Sequence, residues 1–162
     1  RDSEMNRKPT ENTRLLWHGT SSAVVGAILH SGLRIMPHSG GRVGKGIYLA
    51  SENSKSFGYT SGTTFQKKSF KFMFLCEGFL GKLFSITKDD SSLTFPPKGF
   101  DSVVAEGHND VFNENKNILL DNCLVPQSKP IPNAPNSSFS NSEYLVYQED
   151  KVRLKYLVVI NE

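Results

Sequence analysis

Three short segments of this chain carry side chains that could act together on one small molecule: Leu15-Leu16-Trp17-His18-Gly19-Thr20, Gly44 to Ala50 running on to Ser56 and Tyr59, and Ser142-Glu143-Tyr144. An imidazole, two phenolic rings and a carboxylate, set beside glycines on apolar segments, would make one pocket able to hold a flat ligand and to stabilise charge. Gly19 adds to this, because a glycine leaves backbone N–H and C=O open to a ligand that a side chain would cover. Each residue also has a plainer reading. A histidine at the end of an apolar strand is usually a packed, hydrogen-bonded residue, Tyr48 a half-buried strand tyrosine, Tyr59 a helix-end aromatic covering the core, and Glu143 a solvent-facing charge at a strand edge. The combination is more specific than any member of it.

The elements that must position these residues are legible in outline. Leu15-Leu16-Trp17 starts a buried strand. Ser21-Ser22, followed by apolar residues three to five apart and then Gly32, predicts a short helix with a serine cap and a glycine end. Pro37 to Lys45, with four glycines once Gly46 is counted, predicts a turn-rich loop that can press its backbone on a ligand. Ile47-Tyr48-Leu49 reads as a strand, and Ser51 as the cap of a turn of helix ending near Gly58-Tyr59. Phe70 to Phe79 and Ser102 to Ala105 read as strands, Pro96-Pro97 and Gly99 as a loop, and Glu106 to Asn117 as a polar hairpin or excursion.

Pro126 to Ser142 holds four prolines, five serines and three asparagines, a composition expected to form a long surface loop outside the core. That loop delivers Glu143. Tyr144 to Tyr147, then Val152, Leu154, Tyr156, Val158 and Ile160 alternating around Asp150-Lys151, predict a closing hairpin. Many short strands with two short helices give an α+β class, mostly antiparallel sheet.

The 162 residues fit one domain, with 37% hydrophobic and 22% charged residues, a globular composition. A net charge of +3, from 19 basic and 16 acidic residues scattered along the chain, is weak evidence for nucleic-acid binding. Cys76 and Cys123 have no Cys or His at metal-ligand spacing, so no metal site is expected and a reducing compartment is favoured. No apolar stretch approaches a membrane span and no secretion signal opens the chain. Residues 1–14 read as a polar N-terminal segment, the end of a longer truncated chain, and 15–162 as the functional domain.

From Leu15 to Glu162 the sequence resembles the catalytic domain of the poly(ADP-ribose) polymerases, on the Trp17-His18-Gly19, Gly46-Ile47-Tyr48 and Ser142-Glu143-Tyr144 segments together. Within that family the runs Ser31 to Tyr48 and Phe139 to Tyr144 are most similar to a member that adds single units. The resemblance implies the ADP-ribosyltransferase (diphtheria-toxin-like) fold and transfer of ADP-ribose from NAD+, consumed as substrate with no separate cofactor, to protein side chains including its own. Chain elongation to poly(ADP-ribose) and a catalytically silent NAD or ADP-ribose binding module are the alternatives.

The resemblance further implies that Gly19 clamps the nicotinamide amide, Ser56 adds a hydroxyl, Tyr59 stacks on the ring and Tyr48 lines the opposite wall. It places His18 and Thr20 on the adenine-side ribose, Arg34 along the adenosine and diphosphate, Glu143 as the catalytic carboxylate and Lys55 as its helper. By analogy it suggests nuclear residence, with the cytoplasm as a second location, and a part in the DNA damage response. DNA binding is not expected from these residues themselves.

Overall fold

The computed structural model describes residues 12–38, 40–112 and 115–161. The polar start of the chain, through Glu11, lies outside the described residues. The elements are β1 (Thr13–Gly19), α1 (Val25–Ser31), β2 (Ile47–Ala50), α2 (Asn53–Phe57), β3 (Thr63–Phe65), β4 (Lys68–Phe79), β5 (Leu83–Ile86), β6 (Ser102–Ala105), β7 (Gly107–Asp110), β8 (Ile118–Leu120), β9 (Cys123–Val125), β10 (Ile131–Pro132), β11 (Phe139–Asn141), β12 (Glu143–Val146) and β13 (Val152–Asn161).

Seven strands run in the order β13-β4-β1-β2-β12-β6-β5, with β3 beside β4 and the β8–β9 hairpin beside β1, and β10-β7-β11 form a second, small sheet. Most pairs are antiparallel, while β5 with β6, β1 with β9 and β7 with β11 are parallel. This is the expected α+β architecture. None of the described helices is long and apolar enough to cross a membrane.

Burial explains the strand order. β6 and β12 are buried at every residue, so both faces and both edges need partners, and they sit inside the sheet. One face packs Leu16, Leu49, Phe74, Cys76, Tyr144 and Val146; the other packs Val43, Val103, Ala105, Phe139, Leu145 and Tyr147. Alternating β13 buries no residue and lies at the edge.

The short helix forms as expected. Ser21 caps a 3-10 turn at Ser22–Val24 that leads into α1, and Gly32 ends it at φ +78°, a left-handed conformation that suits glycine.

Three expectations are corrected. Tyr144 to Ile160 is not a hairpin: β12 pairs with β2 and β6, whereas β13 pairs with β4, and a 3-10 turn at Glu149–Lys151 redirects the chain between them. Alternation reports which face a strand buries and not which edge it joins. The Pro126 to Ser142 stretch is not simply a surface loop, for it supplies β10 and β11, and Phe139 is 1% exposed. Ser51 does not cap α2. Glu52 stands at the cap position with no side-chain bond to the helix backbone, while the Ser51 hydroxyl donates to Asp110 at 2.7 Å. The polar stretch after Glu106 contributes β7, the middle strand of the small sheet.

Candidate active site

β2 brings the three segments together. Its Ala50 is opposite Trp17 of β1 on one side and Glu143 of β12 on the other, so His18 and Glu143 arrive at the same end of the sheet from neighbouring strands. Tyr48 lies opposite Leu145, two residues from Ala50 and therefore on its face. α2 follows directly and delivers Lys55 and Ser56, with Tyr59 just beyond its end.

Between them lies a hollow of about 290 Å³, walled by His18, Gly19, Tyr48, Ser56, Tyr59 and Glu143 and by Gly40 to Arg42 of the glycine-rich loop. A second, largely apolar hollow of about 400 Å³ lies alongside and shares His18 and Tyr48; Thr20, Ile28, Leu33 and Arg34 line it.

Glu143 is only 3% exposed, so the solvent-facing reading of it does not hold. Its Oε1 accepts the Tyr59 hydroxyl at 3.2 Å and faces Lys55 Nζ at 3.7 Å. Both contacts fall on one oxygen. A buried carboxylate left without such partners is costly. Tyr59 is 57% exposed, so it stands over the hollow rather than covering the core.

His18 Nδ1 is 2.9 Å from the Tyr48 carbonyl. A carbonyl only accepts, so Nδ1 donates and the neutral ring keeps its lone pair at Nε2. Burial pulls the pKa of His18 below its ordinary value, partly opposed by that same hydrogen bond. The imidazole is neutral at physiological pH.

The Tyr48 hydroxyl donates to the Gly44 carbonyl at 2.8 Å and accepts the Val43 amide at 3.1 Å. What Tyr48 offers the hollow is therefore its ring. Burial raises its pKa, keeping the phenol protonated.

Gly19 is required by packing. A Cβ there would stand 1.7 Å from the Ser56 carbonyl oxygen, so only glycine lets α2 close onto β1. Ser56 and Thr20 are both buried. Arg34 is half-exposed and held by Glu149, Nε to Oε2 3.0 Å.

Sequence reasoning missed Arg42 on the wall and the Asn141–Glu52 hydrogen bond that ties the approach to β12 to the start of α2. The glycine-rich loop was the available signal for Arg42. No group of three His, Cys, Asp or Glu fit to hold a metal occurs among the described residues.

The Poly(ADP-ribose) polymerase catalytic domain family matches residues 1–162, and the chain belongs to that class of protein. Protein mono-ADP-ribosyltransferase PARP3 of Homo sapiens is 53% identical to it over 155 residues and that of Mus musculus 55% over 155 residues. Poly [ADP-ribose] polymerase 2-B of Oryza sativa subsp. japonica is 33% identical over 156 residues. Each alignment covers 93% of this chain, but only 29% of the two mammalian relatives and 25% of the rice one. The chain thus spans less than a third of the curated relatives it matches.

Proposed function

We propose that the domain read from Leu15 onward, together with Thr13 and Arg14 that open β1, forms a catalytic unit that cleaves nicotinamide from NAD+ and transfers single ADP-ribose units to protein side chains, its own included. The observation that carries this reading is the recessed Glu143 carboxylate, reached by Tyr59 and Lys55 on the wall of a hollow that also presents Gly19 and Ser56. The 53–55% identity to proteins named mono-ADP-ribosyltransferase supports single-unit transfer over polymer synthesis.

The nicotinamide amide binds the Gly19 backbone and the Ser56 hydroxyl, and its ring lies between Tyr59 and Tyr48. As the bond from ribose C1′ to the ring nitrogen breaks, the electron pair leaves with nicotinamide, and positive charge appears on the ribose as in glycoside hydrolysis. Glu143 stabilises that charge and accepts a ribose hydroxyl on the oxygen that Tyr59 and Lys55 leave open. The acceptor attacks C1′, forming the new bond as nicotinamide departs, and its proton passes to water at the mouth of the hollow. His18 Nε2 accepts a hydroxyl of the adenine-side ribose beside Thr20, and Arg34 borders the adenosine and diphosphate in the second hollow. Nuclear residence and a DNA-damage role follow by analogy only.

Incubation with labelled NAD+, beside a Glu143→Gln control and with products resolved by size, tests the reading. Discrete label is expected, with turnover in the control lowered about 100- to 1,000-fold. Near-normal transfer by the control overturns the role of Glu143, a ladder moves the reading to polymer synthesis, and bound but unsplit NAD+ moves it to a silent binding module.

A further inference from the structure

Arg42 is tied unusually well for a half-exposed side chain. Its Nε and Nη2 donate to the two oxygens of Asp89, each at 2.7 Å, and Nη2 also donates to the Ser138 carbonyl at 2.8 Å and hydroxyl at 3.2 Å. The Ser138 hydroxyl donates in turn to Asp89 at 2.8 Å, and the guanidinium lies 4.4 Å from the centre of the buried Phe139 ring. An isolated surface ion pair contributes little, but a planar fork held by a third partner and stacked on an aromatic ring fixes geometry.

What this fork fixes is the wall of the hollow. Arg42, Gly40 and Gly41 line it, whereas Asp89 and Ser138 line neither hollow. The segment around Asp89 also binds the loop through its backbone: the Arg42 carbonyl accepts the Asp90 amide and the Leu93 carbonyl accepts the Lys45 amide, both at 2.8 Å. On the other side the loop rests on Tyr48, whose hydroxyl lies 2.6 Å from where a Gly41 Cβ would stand. A segment this rich in glycine loses much conformational entropy when ordered, and a ligand that had to order it would bind correspondingly less well.

We propose that the Arg42–Asp89–Ser138 clamp is a positioning device that fixes the Gly40–Arg42 wall against the hollow and thereby sets the affinity for the dinucleotide substrate. The proposal rests on the reading of the hollow as the NAD+ site. Arg42, and then Ser138, hold the Asp89 carboxyl down to about 2, so the clamp keeps its charges throughout the neutral range.

The test compares wild type with Asp89→Ala and Asp89→Asn, the second keeping the shape while losing the charge and one of the two acceptors of the fork. In both, KM for NAD+ is expected to rise roughly tenfold with kcat changed less than about threefold, as befits lost preorganisation. Hydrogen exchange without substrate is expected to show faster exchange at the Gly44, Lys45 and Asp90 amides alone. An Asp89→Ala variant with unchanged KM, or with unchanged protection of those amides, overturns the clamp, as does a loss confined to kcat. Should wild type fail to split NAD+, the reading of the site fails and the affinity role with it, while the exchange measurement still decides whether the clamp orders the loop.

Discussion

His18 is the residue whose chemistry depends most on its surroundings. Burial lowers its pKa in the folded state below the ordinary value of 6.5, so the unfolded chain takes up the proton first as the pH falls. Between 6.5 and the lower folded value, each step down in pH therefore favours unfolding. The stabilisation is complete above 6.5 and is lost on acidification, the reverse of a histidine paired with a carboxylate. Urea unfolding between pH 7 and pH 5 is expected to show wild type losing stability more steeply than His18→Asn. Equal slopes would mean that the ring protonates freely in the fold.

At the scale of elements, a buried polar network fastens three strands beneath Glu143. Arg14 of β1 donates to the Tyr144 hydroxyl at 3.0 Å, and that hydroxyl donates to Asp110 of β7 at 2.7 Å. Asp110 also accepts the Ser51 hydroxyl and, at 3.0 Å, the Phe112 amide, while Arg14 stacks 3.6 Å over the Phe112 ring. Asp110→Ala strands these donors, and a loss of about 1 to 3 kcal/mol is expected per unsatisfied buried group. It should appear as a lower urea midpoint with an unchanged slope. No shift in midpoint would show that the small sheet is not fastened through Asp110. These elements also show what could be read locally. Trp17-His18-Gly19 and Ile47-Tyr48-Leu49 were legible as strand ends because apolar runs beside glycines mark them. The role of Asp110 was not, since the two hydroxyls it binds, on Tyr144 and Ser51, lie 34 and 59 residues away, and its own neighbourhood reads only as polar.

Across the whole molecule, the two-faced core should protect both thiols. Cys76 is fully buried and its thiol is pushed up to about 12 by burial; Cys123 is pushed up to about 11, mainly by the same cause. A thiolate is the reactive form, so neither is expected to react with a disulfide reagent at pH 8 until urea unfolds the protein. Rapid native labelling of either would contradict the packing around β1, β4 and β9. The identities of the pocket residues, the family, the strand character of most segments and the glycine-rich loop are legible in the sequence, because periodicity, glycine placement and short motifs act over a few residues. That β12 lies in the interior between β2 and β6, that β13 crosses to β4, and that Arg42 reaches Asp89 emerges only in the folded chain. Those contacts join segments tens of residues apart, and which edges and charges meet there follows from burying every apolar face at once, a condition on the whole chain that no local pattern carries.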